Sequence, residues 1–140
     1  MTKLLGCIVL IVGFLFATGA SAQRQPVPIV DHENVQFTTG KGSALPIDSV
    51  KQIITTGAGA GKRVWTVSSL EGNRLLATYN VRTHSISVNI SYTDKAYSIK
   101  YANSVNMKYE VLNGVKVIHP FYNRWVDELM SSIATEFSRH

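Results

Sequence analysis

Four histidines carry most of the acid–base and metal-binding potential of this sequence: His32, His84, His119 and His140. None forms a His-x-His or His-Glu-x-x-His pattern, and no carboxylate falls at ligand spacing beside them, so neither a metal nor another cofactor is expected. His32 lies in the N-terminal stretch, His84 opens a strand-like segment, and His140 ends the sequence. His119 immediately precedes Pro120 and has two readings. It caps the start of a helix, or it points into a pocket beside Tyr122 and Asn123. The serines offer no Gly-x-Ser-x-Gly elbow. The Gly57-Ala58-Gly59-Ala60-Gly61-Lys62-Arg63 patch invites a phosphate-loop reading. However, Thr56 stands where the first glycine is needed, and Arg63 where a Ser or Thr must hold Mg²⁺. The order is also helix before strand, so no helix N-terminus faces a phosphate. A flexible helix stop is the preferred reading, and no enzyme is expected.

Five tyrosines (Tyr79, Tyr92, Tyr97, Tyr101 and Tyr122) are read as core residues with hydroxyls at the rim, or as the lining of an aromatic groove. Asn89-Ile90-Ser91 is a glycosylation sequon, meaningful only in a eukaryotic secretory path.

Stepping out from these residues, the first 22 positions read as a cleaved signal peptide. Lys3 precedes an apolar run from Leu4 to Ala17, and an Ala-x-Ala site ends at Ala22. The run is too short for a membrane span. Leu4-Leu5-Gly6-Cys7 resembles a lipobox, but the apolar run follows Cys7 instead of preceding it, so lipid anchoring is not expected. Cleavage would remove Cys7, the single cysteine, and with it any disulfide, Cys metal site or Cys nucleophile. It would also remove Lys3, lowering the formal charge from +5 to +4. The basic residues are scattered, which argues against a nucleic-acid site.

Residues 23–43 hold Pro26, Pro28, Gly40 and Gly42 and read as an exposed leader, with one edge strand at 27–30 or 35–38. Residues 44–138 read as a single domain. Pro46-Ile47-Asp48 opens a helix with Ile47, Val50, Ile53, Ile54 and Ala58 as its apolar stripe, and Gly57, Gly59 and Gly61 end it. Four strands are predicted at 64–68, 74–81, 84–92 and 96–101, joined by turns at 71–73, 82–83 and 93–95. In the third, Ile86, Val88, Ile90 and Tyr92 alternate with Ser85, Ser87, Asn89 and Ser91. Residues 102–117 read as loop with a short extended piece at 107–111. From Pro120 to Phe137 a helix is predicted: apolar pairs recur every four positions, from Phe121 and Tyr122 through Trp125, Val126, Leu129 and Met130 to Ile133, Ala134 and Phe137. Asp127, Glu128 and Glu136 fall on its polar face. A meander of about four strands, wet on one side, with both helices stacked on the other, is the economical arrangement: a two-layer α+β domain. Trp125→Ala should then cost roughly 3–5 kcal/mol.

The segment Ile118-His119-Pro120-Phe121-Tyr122-Asn123-Arg124-Trp125 resembles a family of small exported proteins of Gram-negative bacteria, many described only as lipoproteins. That family's pattern is Ile-His, two residues, then Tyr-Asn-x-Trp before an amphipathic helix. The stretches ending at Tyr92 and Tyr101 are similar to its central portion, as is a helix before Trp65-Thr66-Val67. The resemblance implies a periplasmic location and supplies no catalytic residue. The expectation is a binding or scaffolding module whose partner is an envelope protein or component, with a carrier of a small apolar ligand as the alternative. Two surfaces are expected to work. One is the polar sheet face, with Thr78, Asn80, Ser87, Asn89, Ser91, Ser98 and Lys100. The other is the corner formed by His119, Tyr122 and Asn123. Oligomeric state is not encoded in any pattern here.

Overall fold

The computed structural model describes residues 24–140; the signal-peptide reading lies outside them. Ten elements follow in order: β1 (Val27–Pro28), β2 (His32–Gln36), α1 (Ile47–Ala60), β3 (Thr66–Leu70), β4 (Arg74–Val81), β5 (His84–Tyr92), β6 (Ala96–Val105), β7 (Glu110–Leu112), β8 (Val115–Ile118) and α2 (Phe121–Ser138). Strands β3 to β6 form the expected meander, and β2 adds to its far edge, giving the order β2-β6-β5-β4-β3. A second, three-stranded sheet runs β1-β8-β7. All pairings are antiparallel.

The turns form where the sequence places them. Arg82 takes a positive φ of 54° in the two-residue link between paired Val81 and His84. Thr93 Oγ1 accepts the backbone N–H groups of Lys95 and Ala96 and so closes the next turn. The inner face of the large sheet carries Leu75, Ala77, Ile86, Val88, Ile90, Tyr92, Tyr97 and Ile99, all buried. Val50, Ile53, Ile54 and Ala58 of α1 and Trp125, Leu129, Ile133 and Phe137 of α2 complete one core. Burying each such large side chain stabilises the fold by about 1.5–3 kcal/mol, and this replaces the missing disulfides as the source of stability.

Several expectations are corrected. Residues 23–43 contribute two strands instead of one, and Phe37 stacks on Phe137 with 4.0 Å between ring centres, so the domain takes in this segment. Residues 102–117 hold the end of β6 and the β7–β8 hairpin, whose Asn113-Gly114 turn has φ of 50° and 78°. Such a turn suits the right-handed twist of paired strands. Helix α1 passes through Gly57 and Gly59 to Ala60. The reason is packing: a Cβ on Gly57 would lie 2.8 Å from Ile133 Cα, so the glycine lets the two helix backbones touch. Glu128 is half-buried, and Glu136 is buried with its carboxylate held by Arg139 at 2.9 Å. Asp127 is exposed, as expected.

Candidate functional site

The six residues expected to form an interaction surface fall in three places. Asn80, Asn89 and Lys100 lie on the outer face of the large sheet, away from both helices. Asn89 stands opposite Lys100, and Asn80 opposite Ser85 at the other end of β5. Part of this face is satisfied from within. Lys100 Nζ meets Glu33 Oε1 at 2.6 Å, Thr78 Oγ1 and Ser87 Oγ share a hydrogen bond of 2.8 Å, and Ser98 Oγ accepts the Asn34 N–H. The bond to Glu33 raises the Lys100 pKa, and the same bond lowers that of Glu33.

The expected corner at the start of α2 does not act as a unit. Tyr122 is turned into the core, 1 % exposed and edge-on to Tyr101, and burial pushes its hydroxyl pKa well up. It presents nothing to a partner. Asn123 is a clamp for β1: its Nδ2 donates to the Pro28 carbonyl at 2.9 Å, and its Oδ1 accepts the Val30 N–H at 3.0 Å. These bonds hold the N-terminal strand onto the helix. Only His119 borders open space.

That space is an apolar cleft of about 260 Å³ between the β4–β5 turn and the first turns of α2. Val81, Met107, Phe121 and Trp125 form its walls, with His84, His119 and Arg82 as its polar members. Larger hollows lie beside Thr39, beside Gln52 and beside Tyr109, each lined by a mixture of polar and apolar side chains. The cleft's walls are fixed from behind. Trp125 packs edge-on to Tyr79 and against Phe121, with ring centres 5.3 and 5.6 Å apart. Arg63 lies over both the Trp125 and Tyr79 rings, at 5.2 and 5.5 Å from their centres. It donates to Tyr79 Oη at 3.1 Å and to the Glu128 carboxylate. Burial works against the Arg63 charge, but these two partners outweigh it and raise the pKa. Arg63, at the end of the glycine patch, therefore positions Trp125 instead of gripping a phosphate. That role was invisible in sequence, because its partners lie 16 and 65 positions away.

The tautomers of the two cleft imidazoles follow from their backbone partners. The Phe121 N–H donates to His119 Nδ1 at 3.1 Å, so a neutral His119 carries its proton on Nε2. His84 Nδ1 sits 2.7 Å from the Asn106 carbonyl oxygen, which can only accept, so His84 holds its proton on Nδ1. Its Nε2 is left with a lone pair. His119 thus offers a donor and neutral His84 an acceptor. A metal bound at His119 Nε2 would require that nitrogen to lose its proton and Nδ1 to gain one, which would break the bond to Phe121. Burial first, then the positive charges of Lys108, Arg24 and His84, holds the His119 pKa below its ordinary value. Among the described residues neither imidazole forms an ion pair with a carboxylate; His32 with Asp127, at 3.6 Å, and His140 with Glu136, at 3.4 Å, are the two that do, both elsewhere. The cleft can enclose an apolar group and hydrogen-bond a polar one beside it.

His84 was passed over in sequence because it opens a strand. The signal that could have flagged it is its position directly after the two-residue turn at 82–83. The chain matches no known family profile, and no curated protein and no solved structure matches it.

Proposed function

We propose that this protein is a binding module of the bacterial cell envelope, without catalytic activity, and that it recognises a small ligand in the cleft of His84, Met107, His119, Phe121 and Trp125. The single observation that carries this reading is the convergence there of large apolar side chains and two ring nitrogens with no protein partner. Ligand sites are typically apolar hollows with a few fixed polar groups. On the outer sheet face, by contrast, Thr78, Ser87, Ser98 and Lys100 already have protein partners. The volume suits a single ring or a short chain. The two earlier readings, a binding module and a carrier of a small apolar ligand, thereby meet in one place. The compartment rests on the signal-peptide reading of residues 1–22 and on the resemblance at 118–125.

Two measurements test this. In ¹H–¹⁵N spectra of the protein titrated with a library of small aromatic and aliphatic fragments, the shifts should gather at Val81, His84, Met107 and the Trp125 indole. Hits confined to Asn89, Ser91 and Lys100 would move recognition to the sheet face. In fractionated cells the protein should appear in the envelope fraction, and a purely cytosolic signal would remove the compartment.

A further inference from the structure

Resting on that reading of the cleft, we infer that its ligand is a small amphipathic anion: one apolar ring or short chain bearing a carboxylate. The apolar half of the argument is the wall of Val81, Met107, Phe121 and Trp125 and the limited volume of about 260 Å³. A compact ligand of this size gains most of its affinity from burial of one hydrophobic group.

The anionic half comes from charge. Arg82 is itself part of the lining. The guanidinium of Arg24 lies over the Phe121 ring, 4.5 Å from its centre. Lys108 follows Met107 directly in the chain and acts on His119 through its charge. The permanently charged groups that act on His119 are both cations, Lys108 and Arg24. The first turn of α2 brings no acid. Among the described residues Arg24, Arg82 and Lys108 form no salt bridge, a state they share with Lys41, Lys51, Lys62, Arg74, Lys95 and Lys116. Arg82 thus lines the cleft and Arg24 covers its Phe121 wall, while Arg24 and Lys108 also line a separate hollow that holds Glu110. The His119 Nε2–H adds a neutral donor beside them. Guanidinium and imidazole N–H groups bind a carboxylate by charge-assisted hydrogen bonds, and the hydrophobic wall strengthens them by excluding water. A cationic ligand would be repelled by these exposed cations.

The test compares three probes of one shape: 3-phenylpropionate, its neutral amide and 3-phenylpropylamine. Each is titrated against the protein by ¹H–¹⁵N spectroscopy at neutral pH and low salt. The carboxylate is expected to shift Val81, His84, Met107 and the Trp125 indole, and to bind about tenfold or more tightly than the amide. The amine should bind most weakly. Arg82→Asn removes the charge while keeping a residue that accepts the positive φ of that turn, so the variant should fold. It should bind the carboxylate and the amide to within about threefold of each other. Equal binding of carboxylate and amide by the unaltered protein, at the same residues, overturns the anion inference and leaves the cleft as a binding site. Shifts in none of these residues with any of the three probes overturn both.

Discussion

At its C-terminal end α2 lays Phe137 flat on Phe37, brings Tyr97 to a parallel ring 6.4 Å away, and rests Ile133 on Gly57 with no room for a methyl group. At its N-terminal end the same helix meets the sheet through Phe121 and Trp125, and the space beside them stays open. Both ends are rich in aromatic rings, and both face the same layer of strands. They differ in what closes the gap. Behind Phe137 the segment before α1 folds back and seals the layer. Behind Phe121 the chain turns away into the β7–β8 hairpin, leaving His84 and His119 with unused ring nitrogens. Aromatic content alone therefore does not separate core from site. What separates them is whether the polar atoms nearby already have partners.

The largest expected effect lies at the closed end. Phe137→Ala removes a fully buried ring from between two others and should cost roughly 3–5 kcal/mol. Urea titration followed by far-UV circular dichroism measures it. Fragment binding by the folded fraction should be unchanged, because the cleft lies at the other end of the helix. Next in size is a contrast within α1. Gly57→Ala would drive a methyl into the Ile133 backbone and should destabilise by about 1–3 kcal/mol. Gly59→Ala meets nothing within 4 Å and should stabilise by roughly 0.5–1 kcal/mol through helix propensity. The same substitution two residues apart should thus change sign, and equal shifts in the urea midpoint would break the picture of touching helices.

This contrast also shows where sequence patterning reaches its limit. The four-strand meander, the inner and outer faces and the apolar stripe of α2 were all legible, because period 2 and period 3.6 are local properties of the chain. Gly57 looked like a helix stop because its real partner, Ile133, is 76 positions away. Glu128 and Glu136 fell on the polar side of the helical wheel, yet Arg63 crosses from α1's end to cover the first, and the close approach of Gly57 covers the second. The β7–β8 hairpin carried a strong local signal at Asn113-Gly114. Its flanks obscured it, since Val111, Leu112 and Val115 are exposed and show no buried alternation. Of the candidate site, only His119 was legible. Its sequence context marked a helix start, but nothing local placed His84 and Met107 across from it.

At the open end the expected effects are smaller in stability and larger in binding. Phe121 is only partly buried, so Phe121→Ala should cost about 1–2 kcal/mol, below the value for a fully buried side chain. It should nevertheless remove one wall of the cleft and weaken 3-phenylpropionate binding by tenfold or more. A variant that loses stability on the scale of Phe137→Ala while binding normally would reverse the assignment of the two ends.

The smallest effect is a pH dependence traced to His119 at the open end. Burial and the neighbouring cations disfavour protonation of His119 in the folded chain, so its folded pKa lies below the unfolded value. The unfolded state therefore binds more protons between the two pKa values, and stability rises with pH across that interval. The contribution is complete above the unfolded pKa of about 6.5 and is lost as pH falls from there through the folded pKa. His119→Asn keeps a side-chain oxygen near the position of Nδ1, able to accept the Phe121 N–H, but cannot titrate. Urea midpoints measured between pH 7.5 and 5 should fall more steeply for the unaltered protein than for this variant. The two curves should run parallel above pH 7. Parallel curves over the whole range would mean that burial and the neighbouring charges together leave His119 unperturbed. The enclosure of His119 by the cleft would then lose its support.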